Sequence, residues 1–166
     1  MIYYSVLLYI TLFTGYHVIT MEKKIHTDTI ENTIVELIRE ASFILPQGVK
    51  ETFEQMRNKD NTDNAISTID ILLENADIAQ NENLPLCQDC GVVVVFLEIG
   101  QEVTIEGKFI ETAVNDAVKE AYKTFHLRKS IVGDPLKRKN TNTNTPCFIH
   151  TDIVPGTTFK LTVYLK

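Results

Sequence analysis

The sequence predicts an α/β fold of the mixed α+β kind: a helical first half, then a mixed sheet with helices packed on it. Three observations carry this reading. Apolar residues recur at helical spacing between Ile30 and Ala76. A β-branched run follows at residues 92–96, and the tail from Phe159 onward alternates strictly between apolar and polar side chains. The length of 166 residues is one domain's worth, enough to bury a core without disulfide staples.

Residues 1–20 stand apart from the rest. Their only titratable side chains besides tyrosine belong to His17, and residues 6–13 are nearly continuous apolar. A signal peptide would need positive charge ahead of that run and small residues at a cleavage site, and neither is there. A membrane-spanning helix would need about 20 strongly apolar residues, whereas this stretch is diluted by Thr, Ser, Gly, His and Tyr. The expectation is that residues 1–20 are an apolar leader outside the mature fold and that residues 21–166 form the folded portion. A membrane anchor and a buried or swapped segment are the alternatives.

Residues 21–24 open a polar helix start, with Thr27 or Asp28 as the N-cap of a helix whose inner face is Ile30, Ile34, Leu37, Ile38 and Ala41. Pro46 begins a second, shorter helix with Val49, Phe53 and Met56 on one side. A polar bridge at residues 58–64 leads to a third helix, with Ile66, Ile69, Leu72 or Leu73, and Ala76 facing inward. The pattern breaks at Leu84-Pro85. The run at residues 92–96, bounded by Gly91 and Gly100, is too short for a helix and reads as a buried strand. Ile110, Ala113, Val114, Ala117 and Ala121 return to helical period. The tail, with Phe159, Leu161, Val163 and Leu165 on one side, reads as a half-buried strand that stops on the last residue, as though the chain were cut there.

Composition narrows the function. Sixteen basic and twenty-two acidic residues leave a net charge of −6, with no Lys/Arg-rich run, which argues against nucleic acid as a partner. Seven glycines are few for phosphate-cradling loops, and three cysteines give no disulfide framework, so a reducing compartment is expected.

Two segments carry groups suited to chemistry. In Pro85-Leu86-Cys87-Gln88-Asp89-Cys90-Gly91, between a helix and a strand, Cys87 is a soft ligand, Asp89 an acid or base, and Gln88 a neutral donor and acceptor. Taken alone, Cys87-x-x-Cys90 suggests a redox pair or half a zinc site, or loop cysteines with no role. A complete zinc site would need about four ligands, and Cys147, His126 and His150 are not at a zinc spacing. The second segment runs Leu127-Arg128-Lys129-Ser130, Asp134-Pro135-Leu136, and Arg138 through Pro146. Its Asn and Thr residues are those of solvated turns, while Arg128 offers a planar fork for a carboxylate.

Together, Cys87-Gln88-Asp89, Leu127-Arg128-Lys129-Ser130, Asp134-Pro135-Leu136, Asn140-Thr141, Asn144-Thr145-Pro146 and Val154-Pro155-Gly156 resemble the class I (iron–sulfur) fumarate hydratases. The alpha subunits of L-tartrate dehydratase look similar. The resemblance covers residues 21–166. It implies the N-terminal portion of a cytoplasmic, oligomeric hydro-lyase that moves water on and off a small dicarboxylic acid, completed by a beta subunit or C-terminal domain, with no nucleic acid or membrane partner. It also implies a [4Fe–4S] cluster held by three cysteines with one iron open as a Lewis acid.

Carried over by residue, the resemblance makes Cys87 a cluster ligand, Gln88 and Asp89 substrate contacts with Asp89 the catalytic proton donor, and Arg128 the grip on a substrate carboxylate. The base that takes the carbon-bound proton would come from elsewhere in such an enzyme. The chain departs from the family at Cys90 (usually Thr), Asn142-Thr143 (usually Gly-Asp) and Cys147 (usually a small residue, commonly Ala). Neither Cys90 nor Cys147 stands at a position of the family's second or third cluster cysteine. Fumarate hydration is the expected activity; L-tartrate dehydration, or a non-catalytic remnant or assembly subunit, is the alternative.

Overall fold

The computed structural model describes residues 8–10, 16–20, 24–60 and 62–166. In chain order the elements are β1 (Leu8–Ile10), β2 (Tyr16–Thr20), β3 (Lys24–His26), α1 (Thr27–Phe43), α2 (Gln47–Lys59), α3 (Asp63–Glu82), β4 (Val93–Gly100), β5 (Thr104–Glu106), α4 (Ile110–Thr124), β6 (Phe148–Val154) and β7 (Thr158–Leu165). The mixed α/β class is as the sequence predicts.

The main sheet runs β1-β2-β7-β4-β6, and β3 pairs with β5 in a small parallel ribbon. β4 lies between β7 and β6, antiparallel to β7 and parallel to β6. Parallel neighbours need a crossover connection; here it contains α4, which packs against α1 on one face of the sheet. The core lies between these layers. Ile30, Ile34, Leu37 and Ile38 of α1 and Val114, Ala117, Val118 and Ala121 of α4 meet Val93, Val95 and Leu97 of β4 and Phe159, Leu161 and Val163 of β7.

The apolar run read as a buried strand is fully buried on one side, and its other side is half-buried to exposed. Val93, Val95, Leu97 and Ile99 point into the core, whereas Phe96 on the other side is 42% exposed and stacks on His150 of β6, ring centroids 5.0 Å apart. β6 was not foreseen as a strand. It is an edge strand with mostly exposed residues, so its sequence lacks a clean apolar stripe.

The helix start at residues 21–24 is corrected where it can be seen: residues 24–26 are β3, with Ile25 buried in the core, and α1 begins at Thr27. His26, not Thr27 or Asp28, is the N-cap, its Nδ1 accepting from the Asp28 amide at 3.2 Å. Thr27 is buried and its hydroxyl accepts from the Lys108 amide at 3.0 Å, so tertiary contact outcompetes local capping. α2 starts after Pro46 as expected but buries none of its residues. In α3 it is Leu73 rather than Leu72 that turns inward with Ile69 and Ala76. α2 runs to Lys59 and α3 starts at Asp63, so both helices extend into the polar bridge.

The expectation that residues 1–20 form a leader apart from the fold falls partly outside the described residues. Of those described, β2 pairs antiparallel with β7 from Tyr16↔Thr162 to Thr20↔Thr158, and β1 pairs with β2. Among the described residues no helix is long and apolar enough to cross a membrane. The core between the sheet and helices α1 and α4 includes residues from Ile25 to Val163. A chain lacking residues 1–20 is therefore expected to keep its helix content and a cooperative thermal transition by circular dichroism. Loss of either would show that strand pairing along β7 holds the sheet together.

Candidate active site

The two segments singled out in the sequence meet at the end of the sheet where β4 and β6 begin and β7 finishes. The first is a loop pinned at both ends. On one side the Leu86 amide donates to the Ser42 carbonyl at 2.8 Å, and Asn75 Nδ2 donates to the Leu86 carbonyl at 2.9 Å. On the other side the Val92 amide donates to the Lys166 carbonyl at 2.9 Å. Cys87, Gln88 and Asp89 form the exposed tip between these anchors.

Gly91 lets the loop turn into β4. Its φ of +54° is in the left-handed region, and an added Cβ would stand 1.7 Å from the Lys166 carbonyl oxygen. The preceding carbonyl, that of Cys90, accepts a hydrogen bond from the Tyr122 hydroxyl of α4. Tyr122 is fully buried, and burial raises its phenol well above the ordinary range, which keeps it a neutral donor.

The second segment leaves α4 and returns past the first. Arg128 Nη2 reaches Asp89 Oδ1 at 3.3 Å, an exposed ion pair between residues far apart in sequence. The same Oδ1 accepts from the Gly91 amide at 3.2 Å. Both bonds fall on one oxygen, which leaves Oδ2 for a proton or a ligand hydroxyl. The Arg128 amide donates to Cys90 Sγ at 3.4 Å. Behind these, Asn144 Nδ2 donates to the Gly91 carbonyl at 3.0 Å and its Oδ1 accepts from the Ser130 amide at 2.7 Å. Asn140 Nδ2 donates to the Lys129 carbonyl at 2.9 Å. The hydroxyls of Ser130 and Thr141 are buried with no hydrogen-bond partner among the described residues.

Of the four residues named from the sequence, Asp89 and Arg128 are in contact, and Cys87 and Gln88 share the exposed tip beside Asp89. The Cys87 thiol donates to the Asp89 carbonyl at 3.2 Å. The three cysteines are free: Cys87 is exposed, and Cys90 and Cys147 are buried. Burial, the main cause, pushes the Cys147 thiol up to about 11. Among the described residues no group of three or more His, Cys, Asp or Glu could hold a metal ion. A hollow of about 400 Å³ beside Cys147 is lined by Phe109, Ile110, Glu111, Ile149 and Thr151 and includes none of the four named residues. Tyr122 and Asn144 were missed as supports of the site. Tyr122 reads from the sequence as one more residue on the α4 face, and Asn144 as a turn residue, so only their tertiary partners distinguish them.

Tyr122→Phe would leave the Cys90 carbonyl without this donor in a buried setting. An unsatisfied buried group costs about 1–3 kcal/mol. The variant is expected to lose that much stability in urea-induced unfolding with an unchanged m-value, while an unchanged midpoint would show that the Tyr122 hydroxyl supports nothing.

A sequence model of the fumarate hydratase (Fumerase) family matches residues 31–166. A Methanocaldococcus jannaschii protein provisionally designated L(+)-tartrate dehydratase subunit alpha is 38% identical over 117 residues, 69% of this chain and 40% of that protein. The class I, aerobic fumarate hydratase of Escherichia coli strain K12 is 31% identical over 134 residues, covering 79% of this chain and 24% of the enzyme. The L(+)-tartrate dehydratase subunit alpha of Escherichia coli strain UTI89 is 26% identical over 125 residues, 73% of this chain and 41% of the subunit. The matched region thus spans well under half of each of these relatives. With the family model covering most of its length, this chain belongs to the fumarate hydratase (Fumerase) family.

Proposed function

We propose that this chain is the dicarboxylate-gripping N-terminal portion of an iron–sulfur hydro-lyase that interconverts fumarate and malate. The observation that carries the reading is the pairing of Arg128 with Asp89 on two exposed loops. An exposed ion pair is weak, so an incoming carboxylate can take over the guanidinium at little cost. Arg128 would then hold that carboxylate through charge-assisted bonds, and Asp89, released from it, would face the substrate together with Gln88.

Removing water from malate breaks a C–H and a C–O bond and forms the C=C bond. The departing hydroxyl needs a proton, and Asp89 is assigned as the donor, with its Oδ2 the position for that proton. The base for the carbon-bound proton is assigned to a beta subunit or C-terminal domain, consistent with relatives that are named as alpha subunits.

The [4Fe–4S] cluster of this reading does not fit the chain alone. Cys87, exposed at the loop tip, suits one soft ligand. Cys90 is buried and accepts the Arg128 amide, and the Cys147 thiol is held toward its protonated form, whereas clusters are held by thiolates. Cys87 is therefore assigned as a single ligand, with the others supplied from outside the described residues. When bound, such a cluster supplies an open iron as a Lewis acid. A second reading, L-tartrate dehydration, is favoured by the higher identity to the Methanocaldococcus jannaschii protein. An oligomeric, cytoplasmic enzyme is proposed in either case.

Two measurements test this. Reconstituted with iron and sulfide under argon, the 166-residue chain is expected to show no stoichiometric cluster absorbance and no fumarate hydration. A cluster lost on Cys90→Ser or Cys147→Ser would make those residues ligands and overturn the assignment. In a holoenzyme containing this chain, assayed with fumarate and with L-tartrate, the preferred substrate decides between the two readings. There, Arg128→Ala should raise KM and lower kcat together, a loss of about 1.5–3 kcal/mol in kcat/KM for a charged hydrogen bond. Asp89→Asn should act mainly on kcat, because an amide has no acidic proton to give. Unchanged rates in both variants would remove these residues from the site.

A further inference from the structure

We propose that Asn144 is the positioning residue of this site, its carboxamide setting the separation between the Asp89 loop and the Arg128 loop. The proposal deepens the dicarboxylate reading and rests on it for its functional consequence, though not for its geometry.

Asn144 has no solvent exposure, which is rare for a polar residue in this protein: among the described residues only Thr27 and Ser42 are buried with it. Both ends of its amide are used. Nδ2 donates to the Gly91 carbonyl, and Oδ1 accepts from the Ser130 amide. Gly91 lies two residues after Asp89, and Ser130 two residues after Arg128. A single planar group of fixed size therefore links the main chains that carry the two charged side chains. Its own backbone sits at φ +59°, in the left-handed region that Asn tolerates better than most residues.

Other bonds keep the two sides from moving independently of this link. Asn140 bonds the Lys129 carbonyl, and the Thr141 amide bonds the Ile131 carbonyl at 2.9 Å, so the Arg128 segment is laced to the loop that carries Asn144. Tyr122 secures the Cys90–Gly91 side to α4. Besides the exposed pair of Arg128 with Asp89, the loops are joined near Arg128 by its amide to Cys90 Sγ, a weak sulfur acceptor. The chemistry of the side chain is specific. Aspartate has the shape but no donor for the Gly91 carbonyl, and glutamine is one methylene too long for the gap. Asn144 touches no substrate in this arrangement, and it acts through the loops.

The test uses the 166-residue chain with Asn144→Asp, read by amide hydrogen exchange and by calorimetric titration with malate. At neutral pH the buried carboxylate faces the Gly91 carbonyl oxygen instead of donating to it. The Gly91 and Arg128 amides should lose about tenfold or more of their protection, with the Leu97 and Val118 amides of the core unchanged. On acidification the protonated carboxyl regains an O–H donor, and protection should return toward wild type at a pH above the ordinary carboxylate range, because burial raises the group. Wild type should show no such recovery. Malate affinity at neutral pH should fall by about tenfold, the effect of one misplaced charged contact.

Asn144→Gly, which suits the positive φ and buries no charge, should show the same local loss with no recovery in acid; it also covers the case in which the aspartate variant fails to fold. Unchanged protection, a loss spread evenly into the core, or no recovery on acidification would each overturn the proposal. So would local loosening with unaltered malate affinity in a chain whose binding Arg128→Ala abolishes. If wild type binds no malate, the dicarboxylate reading of the isolated chain fails, while the exchange data still decide whether Asn144 sets the loop separation.

Discussion

The arrangement of the site depends on how the chain passes from the Asp89 loop into β4 at Gly91. There the backbone takes a left-handed turn hard against the Lys166 carbonyl, in a space that no side chain could share. The Gly91 carbonyl faces inward and receives Asn144, with the Tyr122 hydroxyl 3.4 Å away. Buried carbonyls need partners, because an unmet one costs as much as a lost hydrogen bond. That requirement draws α4 and the Asn144 turn onto the same point, and with them the segment bearing Arg128. The exposed charges are thus placed by neutral, buried hydrogen bonds rather than by their own attraction.

Beneath the site the scaffold is ordinary close packing. α1 and α4 cover one face of β4 and β7 with fully buried aliphatic side chains, and the burial of such side chains is the dominant favourable contribution to folding. The ion pairs of the periphery, such as Lys50–Asp77 and Arg57–Asp70 between α2 and α3, are exposed and hold helices that bury little. Surface pairs of this kind contribute little to stability. In the function proposed here, the same weakness at Arg128–Asp89 would let the pair give way to a ligand carboxylate.

The cysteines divide by environment. Cys87 is exposed on a loop tip, Cys90 is buried where its sulfur accepts a backbone amide, and Cys147 is buried with its amide donating to Asn115 Oδ1 at 3.0 Å. In sequence Cys87-x-x-Cys90 has the spacing of a redox pair or half a metal site. In the fold one thiol faces solvent and the other belongs to the packing under the site. Spacing places two side chains near each other along the chain, but the exposure that governs thiol chemistry is set by what packs over each of them.

Much of the fold could be read from local pattern. α1, α3, α4, β4 and β7 follow from apolar periodicity, because a helix or strand with one buried face must repeat its apolar residues at 3.6 or 2. Cys87, Gln88, Asp89 and Arg128 were legible as candidates from residue type and order. Edge and ribbon strands were not: β6 exposes most of its residues, and β3 and β5 are only three residues each, too short to show a period. The N-cap of α1 passed to His26 because Thr27 was taken by Lys108, a residue 81 positions away. The contact of Asp89 with Arg128 and the bridging role of Asn144 likewise required the three-dimensional fold. Local sequence determines which residues prefer a helix, a strand or a turn; the partner of a buried polar group is decided only when distant segments close around it.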